Sequence, residues 1–290
     1  MHEITWEMPV AVDLFFAGLG AGSFCLGAMT SGRKGAGWEA CSRMSSLLAP
    51  VSIVLGLSML ILDLRNKPRF WMTLTVFNAH SPMSIGVWLL SAFFLVSLVF
   101  ALYGMPSIRQ RIPWIGKLGI WSRSGWKNGL RGAGILLALG VMAYTGVLIA
   151  ASSVPLWRNL SLPLLIVLSA LSTGFAGGAL LAIVSLKKEY RESMEEPLRF
   201  VRRSFRILLP FYFIIILAFT LSARSATVFL MTGWSGFLWW GVVVLLGIVV
   251  PLTFVLNSGE LKLNRACFLF SCVLIGGFLM RTVLILAGQR

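Results

Sequence analysis

The chain has 290 residues, 58% of them hydrophobic and only 12% charged, with a mean hydropathy of +0.87 and a formal net charge of +15. Soluble chains carry about 25% charged residues, so the composition excludes a water-soluble enzyme or a nucleic-acid module and calls for the bilayer as solvent. In such a chain the placement of the cations matters more than their sum.

A helix needs roughly 20 apolar residues to cross about 30 Å of hydrocarbon. In chain order, runs of that length lie near 9–30, 44–64, 82–105, 131–151, 161–186, 205–224, 237–256 and 266–287. They are continuous rather than alternating, which excludes β-barrel strands. The expected fold is therefore all-α and polytopic, with eight transmembrane helices. Residues 1–8 carry Glu3 and Glu7 without a basic segment, so no cleavable signal peptide is expected.

Lys and Arg set the orientation. Of the 25 cations, 18 fall in the loops after the first, third, fifth and seventh spans, Arg33, Arg109, Lys187 and Lys262 among them. Six fall on the other side, and Arg281 lies within a span. The positive-inside rule then puts both termini outside, in a multi-pass protein of a bacterial or archaeal cytoplasmic membrane. The basic loops read as topology signals in contact with membrane lipids, rather than as a binding site.

The chain divides into residues 1–151 and 152–290, expected to form two four-helix bundles of like orientation within one membrane unit. Each opens on a helix rich in small residues, FFAGLGAGSF (15–24) and STGFAGGALL (172–181). Such residues let helix backbones approach closely. At Gly18 they would also leave room for a flat ligand.

Ionisable groups inside spans are costly and count as functional candidates. Asp13 lies about 6 Å below the outer edge of the first span, Arg281 a similar distance inside the eighth, and Tyr144 in the outer third of the fourth. Asp63, Arg65, Lys67, Arg69 and His80 crowd the outer loop between spans two and three. Each has a plainer reading. Asp13 and Arg281 could pair to hold two helices together, Tyr144 could be an interfacial aromatic, and Asp63 could end its helix. Collected on one side, an acid, a phenol, an imidazole and several cations suit proton-coupled chemistry.

The absences matter as much. None of the ten acids falls in the inner half of a span, so a carboxylate relay across the whole membrane has no members there. With only His2 and His80, a transmembrane haem with two axial histidines is excluded. Cys25, Cys41, Cys267 and Cys272 have no cluster spacing, so neither an iron–sulfur cluster nor another metal is expected in this protein.

Four strings then resemble one family. LDLRNKPRFWMTLTVFNAHSPMSIGVW (62–88), YTGVLIAASSVPLW (144–157), LPLLIVLSALSTGFAGG (162–178) and RTVLILAGQ (281–289) are similar to the NrfD-like family of polysulfide-reductase membrane subunits. A departure is Arg65-Asn66-Lys67, where the family often has Gly-Arg. The resemblance implies a quinone-binding anchor of a respiratory molybdopterin-type complex, with menaquinone or ubiquinone held non-covalently. It implies a ferredoxin-like iron–sulfur subunit docked on the outer loops and a large catalytic subunit beyond it, with no nucleic acid among the partners. On that reading Asp13 and Tyr144 contact the quinone headgroup. Gly18, Arg69 and Arg281 line the site, Arg281 fixes the charge state of Asp13, and His80 with Arg69 and Asp63 connects it to the outer aqueous phase. The competing expectations are an anchor without quinone chemistry and an ion or solute transporter, for which Pro50, Pro210 and Pro251 would supply helix breaks.

Overall fold

A computed structural model describes residues 8–63, 81–104, 124–151, 154, 156–186, 192–222, 230–257 and 262–288. They form eight long helices and, among the described residues, no strand. These are α1 (Met8–Thr30), α2 (Ala36–Asp63), α3 (Pro82–Tyr103), α4 (Ser124–Ala150), α5 (Leu162–Ser185), α6 (Glu195–Ser222), α7 (Gly233–Leu256) and α8 (Leu263–Gly288). All eight are long and apolar enough to cross a membrane, so the protein is a multi-pass membrane protein.

An even number of crossings leaves the start of α1 and the end of α8 on one face, the terminal face. The opposite, basic face carries the helix ends rich in Lys and Arg. The helices reach further toward the basic face than the apolar runs that announced them, by about two turns in α2 and α4 and nearly three in α6. Hydropathy marks only the hydrocarbon, whereas backbone hydrogen bonding continues into the polar interface. The added turns carry Glu39 and Arg43 in α2, Lys127 in α4, and Arg199, Arg202 and Arg203 in α6.

The first helix of each half is central. α1 packs on α2, α4, α5 and α8, and α5 packs on α1, α2, α4, α6 and α8, so each touches the last helix of both halves. Glycine permits the crossing: a Cβ on Gly22 would lie 3.0 Å from the Gly174 Cα and collide with the Ala170 carbonyl. One buried cluster runs through all eight helices, from Ala11 to Ala287.

α7 departs from the plain α-helix expected over this span. A short α-helical turn, Gly233–Phe237, leads into a π-helical stretch, Leu238–Val249, before α geometry resumes over Val250–Leu256. Pro251 lacks the N–H that would close an α-type bond just beyond that stretch. Near its end the backbone of Gly247 lies against that of Gly276 in α8, 2.8 Å from a Gly247 Cβ to the Gly276 Cα.

Side chains close both ends. On the basic face Arg202 and Arg206 donate from Nε to the Val255 carbonyl at 3.1 and 3.2 Å, capping the carbonyl end of α7. Arg33 lies over the rings of both Trp38 and Phe200, 4.3 and 4.5 Å from their centroids, and the two rings meet edge to face. On the terminal face the connection from α4 to α5 is pinned to the second half. The Trp157 indole, 1% exposed, donates to the Leu284 carbonyl at 2.8 Å, and Asn159 donates to Ser222 Oγ at 2.6 Å.

Candidate functional site

Asp13 sits five residues into α1, about 7.5 Å along its axis from the terminal face. The residue is half-buried, and its Oδ1 is buried without a hydrogen-bond partner. That oxygen lies over Gly56 of α2, where a Cβ would come within 2.8 Å of it. Phe16 closes the same spot, 3.4 Å from that Cβ position.

Tyr144 lies six residues from the end of α4, about 9 Å below the same face. Its ring and hydroxyl lie directly on Gly86 of α3, in space that any Cβ would fill. The two groups assigned to a headgroup from the sequence thus lie at similar depth on α1 and α4, which pack on one another, Asp13 against α2 and Tyr144 against α3. Gly86 escapes sequence reasoning, although it stands in the SPMSIGVW string, because it carries no polar group to mark it. Gly56 has no sequence signal beyond being a small residue in an apolar run.

Arg281 and Gly18 belong to a different place. The Arg281 side chain is 1% exposed, donating from Nη1 to Ser169 Oγ at 3.0 Å and to the Gly277 carbonyl at 2.9 Å. A Cβ on Gly18 would lie 2.5 Å from its Nη2, so the room at Gly18 is occupied by the guanidinium. The Phe15 ring lies 5.7 Å away and the Tyr212 hydroxyl, from α6, close by. Gly18 is ten residues into α1, about 15 Å deep and thus near the middle of the hydrocarbon.

The expected Asp13–Arg281 pair is absent: the two form no ion pair, and the Arg281 Nε and Nη2 have no hydrogen-bond partner. Two geometric facts separate them. Residues 13 and 18 are about 140° apart around α1, so one faces α2 and the other faces α5 and α8. Side chains also lean toward the N-terminus of their helix. α1 and α8 run in opposite directions, so Asp13 leans toward the terminal face and Arg281 leans away from it. Arg281 therefore does not set the charge of Asp13. His80, Arg69 and the side chain of Asp63 lie outside the described residues.

Sequence comparison places these motifs in a family. The model of the NrfD family, described as polysulphide reductase, matches residues 1–290. The C chain of polysulfide reductase from Wolinella succinogenes is 30% identical over 99% of this protein and 95% of its own length. Protein NrfD of Escherichia coli is 27% identical over 99% of this protein and 96% of its own, and the NrfD homolog of Haemophilus influenzae is 27% identical over 99% and 95%. With eight apolar helices and a match along its whole length, the chain belongs to the NrfD, or polysulphide reductase, family of membrane proteins.

Proposed function

We propose that the protein is the quinone-binding membrane subunit of a respiratory molybdopterin-type oxidoreductase, exchanging electrons between the membrane quinone pool and a docked ferredoxin-like iron–sulfur subunit. The observation that carries this reading is that an unpartnered buried carboxylate oxygen on Asp13 and the phenol of Tyr144 lie at similar depth on two packed helices, each beside bare backbone, at Gly56 and at Gly86. The Wolinella relative is named as one lettered component of a reductase, which supports a place in a multi-subunit complex.

A bound quinone, menaquinone or ubiquinone, supplies two-electron, two-proton redox chemistry. The protein's own groups match what a quinone headgroup requires. The Tyr144 hydroxyl is a hydrogen-bond donor for a ring oxygen, and Asp13 Oδ1 is positioned to take or return a proton. Gly56 and Gly86 let these two side chains lie against the bare backbone of neighbouring helices. Their depth, about 7 to 9 Å from the terminal face, keeps the proton path to that face short. His80, Arg69 and Asp63, in or at the adjoining connection, are proposed to complete that path.

The test replaces Tyr144 by Phe and Asp13 by Asn in the intact complex. Each variant is expected to lose quinone-linked turnover by on the order of a hundredfold. Assembly of the complex and activity with a soluble dye on the catalytic subunit stay unchanged. Wild-type quinone-linked turnover in both variants overturns the site and leaves an anchoring role.

A further inference from the structure

Arg281 is the one buried charged residue among those described, and it lies near bilayer mid-depth. Its hydrogen-bond account does not close. Nη1 is satisfied twice, but Nε and Nη2 are buried with no acceptor, and the Tyr212 hydroxyl is also buried with no partner. Ser169 Oγ joins the two, accepting from Arg281 Nη1 and lying beside the Tyr212 hydroxyl without meeting hydrogen-bond geometry. The groups left over are thus donors around a full positive charge.

No described carboxylate answers that charge. The ion pairs found are those of Arg199 with Glu195 and Glu196 on the basic face, and Asp13 faces α2. Phe15 offers only the weak negative potential of its ring face. A buried cation in a low-dielectric medium needs a counter-charge or full hydrogen bonding, and inside a bilayer bulk water does not supply either.

We propose that Arg281, Tyr212 and Ser169 enclose a binding site for a small monovalent anion of halide size, held between α1, α5, α6 and α8. The ligand class follows from the lining. Orphan N–H and O–H donors with one net positive charge suit a single negative charge without directional lone pairs. Gly18 and Ala170 close tightly on Arg281 Nη2, so a ligand there must be compact, which disfavours phosphate, carboxylate or a ring. The site lies on the opposite side of α1 from Asp13 and does not rest on the quinone assignment.

The test uses the intact complex in detergent, exchanged from chloride into gluconate at fixed ionic strength. Chloride or bromide added back is expected to raise the melting temperature saturably. Bromide is expected to give an anomalous scattering peak among Arg281, Tyr212 and Ser169. Tyr212→Phe keeps the ring and the cation but removes one donor, and is expected to raise the half-saturating halide concentration about tenfold. Arg281→Met is expected to remove the response. Should Arg281→Met not assemble, Tyr212→Phe decides the matter alone. A Tyr212→Phe response equal to wild type, the absence of a bromide peak there, or density for water only overturns the proposal.

Discussion

Asp13, Tyr144 and Arg281 stand out in the sequence because few ionisable groups interrupt its apolar spans, and the structure separates them into two polar groups on opposite sides of α1. Gly18 and Gly86 define these groups as much as the polar side chains do. A Cβ at position 18 would lie 2.5 Å from Arg281 Nη2 and 3.1 Å from the Ala170 Cβ. The guanidinium is fastened at Nη1 by two hydrogen bonds and enclosed, so it cannot simply swing aside. Gly18→Ala is expected to cost about 1–3 kcal/mol, read as a fall in thermal stability of the purified complex. Unchanged stability would mean that the guanidinium relocates freely. At Gly86 a methyl group would displace the Tyr144 ring. A displacement of about 1 Å can cost on the order of a hundredfold in rate, so Gly86→Ala is expected to cut quinone-linked turnover to that extent with assembly intact. Gly129→Ala, at a position with nothing within 4 Å, is the control and is expected to behave as wild type. The depth and identity of Asp13, Tyr144 and Arg281 were legible from hydropathy. Their pairing was not, because partner choice depends on which way each helix runs and on the angle around α1, which residue spacing supplies only once the neighbouring helices are known.

Helices were read more fully than contacts. All eight spans follow from apolar runs, since a membrane helix must satisfy its backbone internally and so leaves an unbroken signature. The extra turns of α2, α4 and α6 on the basic face were missed because their Lys and Arg dilute hydropathy while leaving helical hydrogen bonding unaffected. The π-helical stretch of α7 was also missed; Pro251 hints at irregularity, but the Gly247–Gly276 contact that accompanies it is tertiary. The small residues of α1 and α5 gave the clearest tertiary signal, and close packing is where they act. Gly22→Val and Gly174→Val are each expected to force α1 from α5, since both Cβ positions collide with backbone rather than with a movable side chain. The expected readout is loss of the monodisperse species in detergent, whereas Gly129→Val keeps it. Monodisperse, thermally normal Gly22→Val protein would show that α1 and α5 have room to separate.

The distribution of polar groups across the whole molecule bears on where protons move. Asp13 is the only carboxylate more than a turn inside a described helix, and it lies near the terminal face. Inward from it, the α1–α2 seam is closed by backbone. A Cβ on Gly20 would be 2.9 Å from the Ala49 carbonyl oxygen, and one on Gly27 would be 2.9 Å from the Ser46 backbone nitrogen. Contacts this close leave no width for a file of water. Of the serines along the seam, Ser42 donates to the Gly27 carbonyl at 3.0 Å and Ser46 to the Ser42 carbonyl at 2.6 Å, while the Ser52 hydroxyl beside Gly20 is buried without a partner to pass a proton to. The Arg281 group offers no onward route, since Gly18 and Ala170 close tightly on its guanidinium on the side facing α1. Protons taken up or released at Asp13 are therefore expected to exchange only with the compartment on the terminal face. In vesicles holding the complex in one orientation, quinone-linked turnover should change pH on that side alone, with no matching change opposite. Proton uptake from the basic-face compartment, scaling with turnover and abolished by Asp13→Asn, would require a path through α1 and α2 that this packing does not contain.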